Sequence, residues 1–179
     1  LDAAPVGGEF LARRFVPIKG LSTPVDWYEA MESSGNAPKL DQIALEKGAL
    51  VSARMPNFSS SSNISGDFLR GGTLEQGVES ALSLSNANPN DIHLEILENI
   101  STLTESDLST IRRLVSMGVR ICIDDCGAME SRNHLENLVN NNIPVHTLKI
   151  DGKETATVLN TPDVVITWAR LAEEINVKE

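Results

Sequence analysis

The sequence predicts an α/β fold in which parallel strands are covered by helices. Short apolar or β-branched runs alternate with helical patterns along the whole chain. The helical stretches carry apolar residues on one face, as with Leu108, Ile111, Leu114 and Val115. Acidic residues recur near the C-terminal ends of the predicted strands, which is where α/β folds build their sites. A closed barrel and an open doubly wound sheet both satisfy this pattern. Five good strands are recognisable, and 179 residues are few for an eight-strand barrel, which typically takes about 250.

The elements follow in order. VGGEFLARR (6–14) reads as a strand. Residues 23–35 read as a helix, with Thr23 as N-cap, Pro24 at the first helical position and Gly35 as the stop. Residues 40–53 form a second helical pattern, and FSSSSNIS (58–65) a weak, polar strand. A helix over 73–86 carries Thr73 and Gln76 at capping-box spacing. IHLEILE (92–98) is a strand, 105–118 an amphipathic helix ended by Gly118, and VRICIDD (119–125) a β-branched strand. A loop at 126–130, a helix at 131–141, a strand at 145–151 and a helix at 163–175 complete the pattern.

Composition narrows the function classes. Hydrophobic residues make up 41% and charged residues 22%, ordinary for a globular chain, and aromatics are only 4%, so the core rests on Leu, Ile, Val and Ala. No apolar run approaches the roughly 20 residues of a membrane helix, and the first ten residues lack signal-peptide character; a cytoplasmic location is expected. The net charge of −10 argues against a duplex nucleic-acid surface, though not against one small phosphorylated ligand. Cys122 and Cys126, if on one strand, lie about 13 Å apart at roughly 3.3 Å per residue. That exceeds the roughly 7 Å a disulfide tolerates. Both are expected to be reduced packing residues.

The chemistry is carried by polar residues at strand ends. Glu9 lies in the first strand, Asn63 near the end of the second, Glu95 and Glu98 at the end of the third, Asp124 and Asp125 at the fourth, and Asp151 at the fifth. A carboxylate in an apolar strand costs free energy unless compensated, and five strands with the same irregularity make chance a poor explanation. Carboxylates with one amide favour a hard divalent cation, Mg²⁺ or Mn²⁺, over Zn²⁺. Adjacent acids such as Asp124 and Asp125 can serve two ions about 3.5–4 Å apart.

These motifs resemble the EAL family of cyclic di-GMP phosphodiesterases. EFLAR (9–13) is similar to the family's E-A-L-x-R, NIS (63–65) to N-x-S, EILE (95–98) to E-x-T-E, and DDCG (124–127) to D-D-F-G; KID (149–151) matches K-I-D unchanged. The resemblance implies a TIM-type (β/α) barrel, with the family's first strand and last two strands outside this chain and residues 1–179 forming one partial domain. It implies metal binding by Glu9, Asn63, Glu95, Asp124 and Asp125. Asp151 would lie close by, and Lys149 would hold the attacking water or neutralise developing charge. Arg13 would grip a ligand phosphate, with Leu11 beside the ligand, and Glu98 would anchor the loop after Asp125. Two ions, Mg²⁺ or Mn²⁺, would serve the site, and cyclic di-GMP would be opened to linear pGpG. The family also implies homodimers and a sensor or GGDEF domain in the parent protein. The loop sequence AMES (128–131) departs from the family's continuation, and His146 stands where an Asp is common. A degenerate, catalytically inactive domain that acts as a cyclic di-GMP receptor or as a protein-interaction module is the alternative.

Each residue also has a plainer reading. Glu9 and Arg13 could be surface charges, Asn63 a turn residue, and Glu98 helix-start chemistry. Lys149 and Asp151 could form an internal ion pair. His93 is expected inside the barrel, His134 exposed on a helix, and Trp27 and Trp168 in the core.

Overall fold

The computed structural model describes residues 5–16, 20–22, 27–97, 99–100, 102–126 and 129–150. Asp151, Glu98, Thr23, Pro24, Trp168 and the helix expected over 163–175 lie outside the described residues. The chain forms two compact units, residues 1–94 and 95–179.

In the first unit, β1 (Gly7–Glu9) pairs in parallel with β4 (Ser59–Ile64), Gly7 opposite Ser59 and Glu9 opposite Ser61. The contact is close: a Cβ on Gly7 would stand 3.0 Å from the Ser59 carbonyl oxygen. The strand expected over 6–14 is therefore two elements. After Phe10 N–H donates to Ser61 O at 2.9 Å the chain leaves the sheet, and Arg14–Val16 (β2) pairs antiparallel with Gly20–Ser22 (β3). Leu11, Ala12 and Arg13 thus sit in the connection between β1 and β2 instead of on a strand.

Helix α1 (Tyr28–Ser33) is followed by Gly35 at φ +66°, a conformation glycine adopts without strain, as expected of the stop residue. Helix α2 (Ala37–Ser52) begins three residues before its expected start, because Pro38 suits the first turn. Its buried face is Ala37, Asp41, Leu45, Gly48, Ala49 and Ser52. That face lies on β4, where Ser60, Ser62 and Ile64 are buried and alternate with half-buried Ser59, Ser61 and Asn63. A Cβ on Gly48 would meet Ser60 at 3.0 Å, so small residues on both elements let helix and strand approach. This accounts for a serine-rich strand in a buried position.

A short helix, α3 (Gly66–Arg70), absent from the sequence reading, intervenes before α4 (Leu74–Ser85). The capping box expected at Thr73 and Gln76 does not form: Thr73 has helical-region backbone angles and makes no side-chain cap. α4 ends on Asn86 in the left-handed region. A single 3₁₀ turn at Pro89–Asp91 leads into β5 (Ile92–Ile96).

In the second unit, α5 (Glu105–Ser116) starts with a reciprocal capping box. Asp107 N–H donates to Thr104 Oγ1 at 3.2 Å, and Thr104 N–H to Asp107 Oδ2 at 2.8 Å. β6 (Arg120–Ile123) pairs in parallel with β7 (Thr147–Leu148), and α6 (Met129–Asn140) connects them. Ile111, Leu114, Ile121, Ile123, Leu135 and Leu138 are buried, each contributing about 1.5–3 kcal/mol. His134, expected at the surface, is buried at 2% exposure, and its Nε2 lies 2.8 Å from the Ile100 carbonyl oxygen. It falls on the inward face of α6 beside Leu135 and Leu138, which outweighs its polarity because the carbonyl pairs with it.

The five-stranded sheet has the neighbour order β1-β4-β5-β6-β7, which follows the chain, and β2–β3 form a separate two-stranded sheet. This is a partial barrel of parallel strands with helical connections, the α/β architecture expected from the alternation of elements.

Candidate functional site

Two groups of polar residues, one in each unit, occupy strand ends. In the first unit, Glu9 ends β1 and Asn63 lies one residue before the end of β4. Parallel pairing brings them together: Asn63 Nδ2 donates to Glu9 Oε1 at 3.2 Å. Asn63 Oδ1 is buried and has no hydrogen-bond partner in the protein. Such an atom costs free energy unless a ligand, water or cation satisfies it. Arg13 is exposed and its Nη1 donates to its neighbour's carbonyl, Ala12 O, at 2.8 Å. Leu11, 44% exposed, and Arg13 line a cavity of about 370 Å³ together with Phe10, half-buried Trp27, Ile43 and Lys47.

In the second unit the central residue is Glu95 on β5, 1% exposed. Lys149 Nζ donates to Glu95 Oε2 at 2.7 Å and lies 3.2 Å from Asp124 Oδ1. One ammonium thus bridges two carboxylates, one of them buried, where the low local dielectric strengthens the attraction. Lys149 therefore pairs with Glu95 and Asp124; its rival partner Asp151 lies outside the described residues. Asp124 follows the last residue of β6, and Asp125 N–H donates to Asp124 Oδ1 at 3.0 Å. Asp125 has φ +46°, an uncommon conformation for a residue with a Cβ, so the chain turns sharply between the two acids. The turn is held on both sides: Cys126 N–H donates to Lys149 O at 2.7 Å, and Ser131 Oγ to Asp124 O at 2.8 Å. Cys122 and Cys126 are both buried and free. Burial pushes the Cys122 thiol up to about 12, with the Glu95 charge adding to the effect against a hydrogen bond from Thr147, which fits a packing residue and not a thiolate nucleophile.

The donors suit a hard divalent cation. They are carboxylate and amide oxygens, and the buried Asn63 Oδ1 is an acceptor available to one. Among the described residues no three His, Cys, Asp or Glu side chains converge on one point. Two acids of the expected set, Asp151 and Glu98, lie outside them.

Asp41 escaped the sequence reading, and its partner Ser65 was read only as the end of the NIS motif. Asp41 is buried at 5% exposure on α2, and its Oδ2 accepts the Ser65 N–H at 2.9 Å. Ser65 caps α3, its Oγ accepting from Phe68 N–H at 3.2 Å. The spacing of Asp41, Leu45, Gly48, Ala49 and Ser52 on one helical face was the available signal, since an acid in that stripe needs a partner.

A family model described as the EAL domain matches residues 2–178. A search of curated proteins finds no match. Among solved structures, the chain is similar to the PaMucR phosphodiesterase in complex with c-di-GMP. That match has 23% identity over 96% of this chain and 72% of that one, with a TM-score of 0.81. The EAL enzyme Bd1971, in its cAMP- and cyclic-di-GMP-bound form, matches at 21% identity over 96% of this chain and 49% of that one, with a TM-score of 0.82. The FimX EAL domain from Pseudomonas aeruginosa bound to c-di-GMP matches at 20% identity over 94% of this chain and 69% of that one, with a TM-score of 0.75. The chain thus spans about half the length of Bd1971 and about seven-tenths of the other two. Structural likeness at this identity speaks for the fold, and the family match covers nearly the whole sequence: the chain belongs to the EAL domain family.

Proposed function

We propose that this chain provides a metal-dependent phosphodiesterase site that hydrolyses cyclic di-GMP to linear pGpG. The observation that carries the reading is the buried Glu95 carboxylate, bridged by Lys149 to Asp124 at a strand end. A structural acid at 1% exposure is rare, and retaining one beside a second acid fits a cation-binding role. Membership of the EAL family and the c-di-GMP complexes of similar structures support the same ligand.

In this proposal Glu9, Asn63, Glu95, Asp124 and Asp125 hold Mg²⁺ or Mn²⁺. Such ions, when bound, supply positive charge to the phosphodiester and make a water acidic enough to ionise near neutral pH. Lys149 holds the attacking water and offsets charge that develops on the phosphate. Asp125 and Asp151 stand with it as catalytic carboxylates. Arg13 grips the phosphate through its planar guanidinium, and Leu11 lies against the ligand. Glu98 anchors the loop after Asp125. Water attacks phosphorus in line, and the ring opens to a linear dinucleotide.

Residues 1–179 are assigned to one EAL-like domain, placed in the cytoplasm, able to form a homodimer and attached in its parent protein to a sensor or GGDEF domain. Among the described residues no helix is long and apolar enough to cross a membrane.

The test is incubation with cyclic di-GMP and Mn²⁺ or Mg²⁺, with chromatographic separation of the nucleotides. Linear dinucleotide that needs both metal and Glu9, absent in Glu9→Ala, is the expected result. Nucleotide binding without turnover would favour a receptor, a reading to which the departures at Cys126 and 128–131 lend weight. Neither binding nor turnover would reject both.

A further inference from the structure

We propose that Asp41 is a positioning residue for Asn63: from helix α2 it fixes the chain where β4 ends and so sets the amide that Asn63 presents beside Glu9. The inference rests on the metal-site reading above and adds a residue to it.

The chain of contacts lies wholly within the first unit. Asp41 Oδ2 accepts the Ser65 N–H at 2.9 Å, two residues beyond Asn63. Ser65 is 2% exposed, its Oγ receives Phe68 N–H at 3.2 Å, and its carbonyl receives Leu69 N–H at 3.0 Å. The N–H, hydroxyl and carbonyl of this one residue are therefore all engaged at the junction of β4 and α3. On the other side of Ile64, Asn63 Nδ2 donates to Glu9 at 3.2 Å while its Oδ1 stays buried and without a protein partner.

An acid is a costly choice for the position of Asp41. The face it shares with Leu45, Gly48 and Ala49 packs on β4 and would accept an apolar side chain, whereas a buried carboxylate loses its hydration. What the carboxylate supplies is an acceptor for a backbone N–H at the strand exit, a group that must find a partner when buried. Register makes the junction consequential. Side chains alternate between the two faces of a strand, so a slip of one residue would turn Asn63 toward α2 and Ile64 toward Glu9.

The experiment uses isotope-labelled whole chain. The side-chain amide resonances of Asn63 are assigned by their loss in Asn63→Ala and read in the metal-free protein, and Mn²⁺ affinity is measured on the same samples. Asp41→Ala is expected to shift the Asn63 amide resonances and to weaken Mn²⁺ binding about 10-fold or more, as for other residues that orient metal ligands. Asp41→Asn keeps an oxygen for the Ser65 N–H and is expected to restore both readouts to near wild type. Asp41→Leu, which fills the site without an acceptor, serves if the alanine variant fails to fold, and should behave as alanine does. An unshifted Asn63 amide in folded Asp41→Ala or Asp41→Leu would overturn the proposal, and so would an asparagine variant that behaves like alanine. A wild-type chain that binds no Mn²⁺ would instead remove the metal reading, and the amide resonances would still decide whether Asp41 orients Asn63.

Discussion

Asp41 should make the protein less stable as the pH rises from about 4 to about 6. Burial raises its carboxyl from 3.8 to about 6, against hydrogen bonds from Ser65 that lower it, while the charges of Glu32 and Asp67 raise it further. The folded state therefore holds a proton that the unfolded chain has already released. Stability from the protonated form is fully present below about 3.8 and is lost as the pH passes through about 6. At about 1.4 kcal/mol per pH unit, the gap amounts to about 3 kcal/mol. The perturbation is Asp41→Asn, which keeps an acceptor for Ser65 N–H and removes the titration. The assay is urea unfolding of both proteins at pH 4, 5, 6 and 7, taking the difference so that other acids cancel. The variant should gain on the wild type by about 2.4 kcal/mol between pH 4 and pH 7, because at pH 4 the unfolded carboxyl is already more than half ionised. A difference that stays flat, or a wild type that gains on the variant as the pH rises, would refute the reasoning.

Three further outcomes are expected. Lys149→Met removes the ammonium that bridges Glu95 and Asp124, and half-exposure of the lysine limits the loss to about 2–3 kcal/mol; urea unfolding at pH 7 within about 0.5 kcal/mol of wild type would contradict it. Thr104→Ala breaks the reciprocal cap of α5 and should lower stability by about 1 kcal/mol, read as a lower urea midpoint at unchanged slope. His134→Ala deletes a buried ring and leaves the Ile100 carbonyl without that partner, for a loss of about 2–3 kcal/mol; a melting temperature equal to wild type would show that the imidazole contributes little.

Much of the fold is written in local pattern. The serine strand at 59–64, the helix at 105–116 and the strand at 120–123 lie within two residues of their expected bounds. Periodicity of two or of 3.6 is a property of a few adjacent residues, so it can be read without knowing what packs against it. Elements failed to match where distant partners decide. β1 stops at Glu9 because its ladder with β4 ends there, and nothing within 6–14 signals the break. α3 was missed because its five residues are too few for a helical period, although Ser65 before Gly66 and Asp67 is a cap signal.

The candidate site divides in the same way. For the described residues Glu9, Asn63, Glu95 and Asp124, the sequence by itself determined their place at or beside strand ends, their order along the chain and the family they belong to, because each is part of a short motif. Only the tertiary structure decided their partners: Asn63 with Glu9 across 54 positions, Lys149 with Glu95 across another 54, and Asp41 with Ser65 across 24. The same is true of His134, an apparently exposed helix residue whose burial depends on a carbonyl 34 positions away. A hydrogen bond needs two groups within about 3 Å, and chain connectivity does not fix that distance between residues so far apart; the packing of helices and strands does.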